Sequence, residues 1–561
     1  MALHSIHRPV LSIVILFAVV CAATADERSD HVDKLFSDWD STHSPGAAIA
    51  VIRDGEIIYE RGYGMADLEH GVPIGPDSVF RIGSTSKQFT AFCVALLAHE
   101  DRISLDESIV SYIPELPEVY RPVTVRHLIH HTSGVRDYLE LQALAGVTDY
   151  DFYTAEEALE LLSRQRALNF PPGGEFLYSN SGYFLLGVIV ERVCGKTLAE
   201  FARERIFEPL GMGSTHYHDD HTLIVPNRAD GYSESSGDGY YIDMTYLEII
   251  GDGAVFTTVR DMALWDRVFY GGFYDDELIE TTLMPGALNS GENLDYAFGL
   301  GVTDYRGRTM ISHGGAFVGF RADMIRFPEL RFSVICLANC SSINPSGLCT
   351  AIADIYLEEV LEPEEQPESA EPAAEPEFIE LPEESLRSRT GIYRRTESGI
   401  IRRVIFEDGD LWYVGPGYRL KFAPVSEIRF VAPDDRDVEI IFGPAGENGQ
   451  NSFRVFVRGA HRSTYLEIEV CMPTTADLEE YVGTYYSEEL DATYRAVVEE
   501  GKIYFRFRNA PDEHLEPLER DAFWLAGRNI TFVRDDSDNI SGFRLDFARV
   551  RGIEFTRAEV E

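Results

Sequence analysis

The chain runs to 561 residues, 45% hydrophobic and 25% charged, so it is long and apolar enough for at least two buried cores and is not disordered throughout. Its 94 acidic against 49 basic residues give a formal charge of −45, an anionic surface that repels phosphate backbones and anionic headgroups and so excludes nucleic acid as a partner. The bases are almost all arginine, with Lys34, Lys87, Lys196, Lys421 and Lys502 as the lysines; such a surface suits a salt-rich environment whose counterions screen its self-repulsion.

Residues 1–25 read as a secretory signal: His4, His7 and Arg8, an apolar run from Val10 to Val20, then Ala23-Thr24-Ala25. The run falls short of the about 20 apolar residues that span a bilayer. The expectation is therefore an exported product, periplasmic or secreted, with no stable membrane anchor. Residues 26–361 alternate strand-like runs (Ala47 to Val51, Ile57 to Glu60, Phe332 to Leu337) with helical patterns (Gln88 to Glu100, Ala155 to Leu162, Gly182 to Val193, Leu198 to Ile206), which predicts one α/β domain. Residues 362–385 are rich in Pro and Glu and predict an extended, solvated linker.

Beyond the linker the hydrophobic period becomes two, as in Val404-Ile405-Phe406, the turn Glu407-Asp408-Gly409-Asp410, then Leu411-Trp412-Tyr413. The pattern repeats at an offset near ninety. Gly391-Ile392-Tyr393 recurs as Gly483-Thr484-Tyr485, Gly409 before Leu411-Trp412 as Gly501 before Ile503-Tyr504, and Phe453-Arg454-Val455 as Phe543-Arg544-Leu545. Two small antiparallel β-barrels of about eight strands each, 386–472 and 473–561, are expected, since closure removes exposed edges.

Three segments carry chemistry. In Phe80-Arg81-Ile82-Gly83-Ser84-Thr85-Ser86-Lys87, Gly83 is expected to start a buried helix on which Ser84 and Lys87 share one face. Burial disfavours the charged amine, which lets it take the serine proton. Tyr178-Ser179-Asn180 precedes an apolar helix, so a phenol able to act as base and an amide able to bind both the lysine and a substrate carbonyl can enter one cleft. His313-Gly314-Gly315-Ala316 enters a strand-like segment where glycines let the backbone approach a ligand. Read singly, each has a plainer meaning: a solvated helix face, a helix cap and a turn.

Together, in the order S-x-x-K, Y-x-N, H-x-G, they resemble the serine β-lactamase and penicillin-binding-protein superfamily, whose usual third motif is K-T-G. Segments such as Val125-Arg126-His127-Leu128-Ile129-His130-His131-Thr132-Ser133-Gly134 are similar to its class C β-lactamase-like branch, over roughly residues 30–360. The resemblance implies a central antiparallel sheet beside a helical region and an acyl-serine mechanism without metal or cofactor. It implies Ser84 as nucleophile, Lys87 and Tyr178 managing its proton, and the N–H groups of Ser84 and Ala316 as oxyanion hole. Asn180, His313 and Gly315 would meet the substrate. His313 in place of the K-T-G lysine removes one positive charge from the cleft and, with two barrels behind the catalytic domain, is similar to D-aminopeptidases.

The expected activity is hydrolysis of small amides or short peptides, D-aminopeptidase-like. The alternatives are a carboxylic esterase, a D-alanyl-D-alanine carboxypeptidase or weak β-lactamase, and, in another class, a non-catalytic scaffold or peptide-binding module. His216, His218 and His221 beside Asp219 and Asp220 read as a polar surface loop rather than a metal site. Cys340 and Cys349 form the one disulfide candidate, and Cys93 reads as a buried thiol. The sequence leaves the oligomeric state open, a homodimer being the assembly considered.

Overall fold

The computed structural model describes residues 27–235, 237, 239–363, 378–396, 399–415, 418–433, 435–444, 451–457, 460–508 and 512–558. The signal of residues 1–25 and residues 364–377 of the linker lie outside them. The chain divides into two compact units, Met1–Tyr138, Thr148–Ser163 and Phe170–Glu365 in one, Leu139–Val147, Arg164–Asn169 and Gln366–Glu561 in the other. The sequence reading places the two short segments of the second unit inside the catalytic region.

The first unit is built on a seven-stranded antiparallel sheet of β1 (Ala47–Arg53), β2 (Glu56–Tyr63), β3 (Gly301–Tyr305), β4 (Arg308–Ser312), β5 (Gly315–Phe317), β6 (Phe320–Phe327) and β7 (Phe332–Ala338). Its order is β3-β4-β6-β7-β1-β2, with β5 pairing β6. An antiparallel sheet with one wet face alternates apolar and polar residues. Here β1 and β7 are apolar almost throughout, and the reason is cover on both sides. The helix Pro345–Leu357 packs on β6 and β7, and the helix Val259–Asp266 packs on β1 and β7. Val32 and Phe36 join the first of these layers, Phe36 stacking on Tyr63 with ring centres 4.3 Å apart.

Beside the sheet stand α1 (Lys87–His99) and α2 (Asn180–Cys194), packed against each other. Every residue of α1 from Lys87 to Leu97 is buried, so it is a central helix with no solvent face. Gly195, at φ +74°, ends α2 in the left-handed cap that glycine adopts without penalty.

In the second unit, eight strands from Gly391–Arg395 to Ala460–Glu467 close into a barrel around Tyr393, Phe422, Phe453 and Tyr465. The following strands form a nine-stranded sheet whose two end strands, Glu513–His514 and Glu516–Glu519, are separated only by the buried Leu515. The two are consecutive stretches of one segment, the first pairing with Lys502–Arg506 and the second with Ala522–Leu525, so the sheet curls into the nearly closed barrel that the sequence reading expects. The internal repeat extends to detail. Helices Glu383–Arg387 and Thr475–Glu479 precede the first strand of each half. Tyr393 donates to Arg389 O at 2.8 Å, and Tyr485 donates to Tyr481 O at 2.6 Å. Helix residue Leu144 accepts from Tyr494 Oη at 2.7 Å, and Asn169 Oδ1 accepts from Arg551 N at 2.8 Å, which accounts for the two short segments grouping here.

The expected Cys340–Cys349 bridge is absent: both thiols are free and buried. Cys349 instead faces Cys336 on β7, with Asp323 O and Val334 O each 3.9 Å from its sulfur, because helix Pro345–Leu357 lays it over the sheet. Cys93 is a buried thiol in α1.

One buried ion pair ties a helix to the sheet. Asp266 Oδ1 accepts from Arg326 Nε on β6 at 2.7 Å and from Ser333 Oγ on β7 at 2.8 Å, and the guanidinium lies 3.8 Å from the centre of the Phe269 ring. Removing one partner strands the other charge in the core, so Asp266→Ala is expected to cost about 3–5 kcal/mol, and the joint replacement Asp266→Leu with Arg326→Met less than that. Urea unfolding checks this; a single variant within about 1 kcal/mol of the parent contradicts it.

Candidate active site

The short strand Phe80–Arg81, paired with Val255–Thr257, delivers the chain into a 3-10 turn, Gly83–Ser86, that continues into α1. Gly83 therefore opens a tighter turn than the α-helix expected. Two backbones meet here. Gly83 has φ +51°, and a Cβ on it would lie 2.8 Å from Ala316 N; a Cβ on Gly315 would lie 1.9 Å from Ile82 O. Both positions need glycine because the turn is pressed against β5, and Thr85 Oγ1 secures the contact by donating to His313 O at 2.9 Å. β5 is paired along one edge only, so its other edge faces the serine turn with ladder positions unused.

Lys87 is 0% exposed. Its Nζ lies 3.1 Å from Ser84 Oγ, 2.8 Å from Asn180 Oδ1 and 2.5 Å from the main-chain carbonyl of Asp252. The same nitrogen stands 4.9 Å from the centre of the Tyr178 ring. Ser84 itself is partly exposed, so the hydroxyl faces the solvent side of an amine that water does not reach. Asn180 is held by its own backbone N–H, which donates to Asp137 Oδ2 at 2.6 Å at the start of α2. Asp252 gives its carbonyl to Lys87 and its carboxylate to Tyr138 Oη, 3.0 Å away. Burial lifts the Asp252 carboxyl above the usual range, an effect the Lys87 charge opposes. Asp137 and Asp252 carry no motif of their own and were invisible to sequence reasoning.

The family model described as Beta-lactamase matches residues 31–353. The chain belongs to the beta-lactamase family. It is a serine hydrolase of the β-lactamase type. A D-aminopeptidase of Gluconobacter oxydans (strain 621H) is 28% identical over 485 residues, 85% of this chain and 86% of its own length. A D-aminopeptidase of Brucella anthropi is 27% identical over 536 residues, 92% and 96% of the two chains. Penicillin-binding protein 4* of Bacillus subtilis (strain 168) is 30% identical over 331 residues, 55% of this chain and 71% of that one. Among solved structures, the octameric penicillin-binding protein homologue from Pyrococcus abyssi shares the fold, with a TM-score of 0.52 and 21% identity over 88% of this chain and 98% of that chain.

In this member of the beta-lactamase family the third motif is a neutral wall. His313 Nδ1 lies 2.7 Å from Gly314 O and Nε2 lies 3.0 Å from Tyr296 Oη, so the ring carries its proton on Nδ1 and accepts from the phenol at Nε2. Burial, helped by the Lys87 charge, pulls His313 down to about 4. Its ring is thus engaged by the protein on both sides, at the wall where the sequence reading expects substrate. His131 is the other finding the sequence missed. It sits at φ +55°, accepts from Ser179 N at 3.1 Å through Nδ1, and packs its ring 4.2 Å from that of Tyr178. Strained backbone held by its surroundings is common at functional sites, and here it sets the floor under the phenol. His130, buried, meets Tyr296 O at 3.1 Å, and His127 caps helix Val125–Ile129 through Thr124.

The expected polar surface loop around His216 is only partly that. His218 is buried against Phe256, ring centres 4.6 Å apart, because the strand His216–Tyr217 pairs with Val255–Thr257. Asp220, His221 and Glu248 each offer a ligand atom within 4.8 Å of the others, with Asp220 Oδ1 already accepting from Thr222. No metal ligation is assigned to them.

Burial, as the leading cause, depresses His130, His218 and His313 alike, each from 6.5 to about 4. The unfolded chain then binds more protons than the folded one between pH 6.5 and 4, so stability is lost as pH falls through that window, by about 3 kcal/mol per histidine at its lower end. Urea unfolding at stepped pH is expected to show this loss, and His313→Gln to shrink it by about one third. A pH-independent stability from 7 to 4.5 contradicts it.

Proposed function

We propose that this hydrolase cleaves small amides and short peptides after an N-terminal D-residue, in the manner of a D-aminopeptidase. Ser84 Oγ adds to the scissile carbonyl as its proton passes to the Lys87 and Tyr178 pair. The oxyanion then rests between the N–H groups of Ser84 and Ala316, where each donor supplies about 3–4 kcal/mol in comparable hydrolases. Collapse breaks the C–N bond, and the amine leaves with the proton held by that pair. Water, deprotonated by the same groups, releases the acyl-serine. Asn180, its carbonyl turned to Lys87, keeps an NH2 for the substrate.

The observation that carries the reading is the buried Lys87 amine, 3.1 Å from Ser84 Oγ, whose other two partners are an amide oxygen and a main-chain carbonyl, not a carboxylate. The specificity is supported by the two D-aminopeptidases that match across the β-barrel region as well. The penicillin-binding relative favours a second reading, acylation by β-lactams, although a neutral His313 binds a penicillin carboxylate weakly. The leader read in residues 1–25 makes the proposed enzyme an exported one.

Ser84→Ala is expected to lower turnover of D-alanine p-nitroanilide by at least about 10⁴-fold and to abolish labelling by a fluorophosphonate probe. Retained labelling at another serine, or nitrocefin turned over faster than the anilide, overturns the assignment.

A further inference from the structure

Arg81 lies three residues before Ser84 and is 4% exposed, yet its guanidinium makes no hydrogen bond or ion pair among the described residues, and Nε is a buried donor without an acceptor. The group is clasped between aromatic rings, 5.1 Å from the centre of Phe317 and 6.0 Å from that of Phe256. Burial draws Arg81 down to about 10, which leaves it a full cation near neutrality. Asp252 and Asp149 act on the Arg81 charge from a distance, yet no carboxylate among the described residues meets its donors, and a buried cation with unmet donors calls for a partner from outside.

Arg81 faces a cavity of about 270 Å³ whose wall also includes Arg228, His218, Asp230, Val318 and Phe320. The Arg228 guanidinium likewise makes no hydrogen bond or ion pair among the described residues. Asp230 makes no ion pair with either arginine among the described residues, although the Arg228 charge acts on it and opposes the rise that burial gives its carboxyl. Two residues of the cavity wall stand close to catalytic ones in the chain. Val318 is two residues past Ala316, and three residues from Ser84 place the Arg81 Cα within about 11 Å of the Ser84 Cα. Lys87, by contrast, is enclosed by Ser84, Asn180 and the Asp252 carbonyl, and His313 is neutral.

We propose that the Arg81 and Arg228 cavity is a carboxylate subsite that holds the free C-terminal carboxylate of a short peptide whose scissile carbonyl lies at Ser84. Two guanidinium forks match the planar carboxylate, and the apolar wall of Val318 and Phe320 receives the aliphatic part of the last residue. This rests on the hydrolase reading above and adds a substrate class to it: peptide acids with one or two residues beyond the cleaved bond, in preference to amides.

The test separates binding from turnover by using Ser84→Ala protein and titrating D-alanyl-glycyl-glycine against its C-terminal amide by calorimetry. The acid is expected to bind at least tenfold tighter than the amide, and the difference to collapse towards unity when Arg228→Gln is added. Arg228 is half-buried, so this variant avoids opening the core; Arg81→Gln, checked for folding by circular dichroism, should act alike. Equal binding of acid and amide overturns the proposal, as does a preference that survives both substitutions. Succinate that binds without displacing the peptide would make the cavity a site for free carboxylates and would also overturn it. Fluorophosphonate labelling of the parent protein reports on the catalytic assignment independently of all four outcomes.

Discussion

The site depends on one buried amine with three acceptors. Lys87 is enclosed by α1, α2 and the segment that carries Asp252, and each of these supplies one contact: Ser84 Oγ from the turn leading into α1, Asn180 Oδ1 from α2, and a carbonyl from the 252 segment. Three separate stretches of chain must arrive for the amine to be satisfied. An unmet ammonium in that interior would cost several kcal/mol, so the catalytic geometry and the packing of the helical region are the same requirement.

Around that centre the rings form a second constraint. Tyr178 is packed by His131, which is buttressed by Tyr183 and Tyr296, and Tyr296 holds His313. This chain of contacts couples the Y-x-N loop to the strand that bears Ala316. It also explains why an imidazole replaces a cation at position 313 without leaving a gap: the ring donates to a carbonyl and accepts from a phenol, and it asks for no counterion.

The helices α1 and α2, the strands β1 and β7 and the convergence of Ser84, Lys87, Tyr178 and Asn180 were legible because they are written in short-range patterns: apolar runs, a three-residue spacing, a loop before a helix. The repeat was legible for the same reason, Tyr393 and Tyr485 standing at equal places before equal strands. What sequence could not show are residues whose role comes from distant contacts. Asp137, Asp252 and His131 each act through a partner more than forty residues away; nothing local marks the first two, and the segment that holds His131 gives no sign of its role. The Cys340–Cys349 expectation failed on direction, since closeness in sequence says nothing of the way a helix turns its thiols.

The third acceptor of Lys87 belongs to the main chain. No side-chain replacement at position 252 can delete that carbonyl; it can be lost only if the polypeptide there takes another path. That path runs through Gly251 at φ +105° and Ala254 at φ +70°, conformations that are costly for most residues. That one contact is therefore tolerant of chemical drift at Asp252 itself and intolerant of drift in the bend on either side, so the constraint it sets on this stretch is one of shape more than of identity.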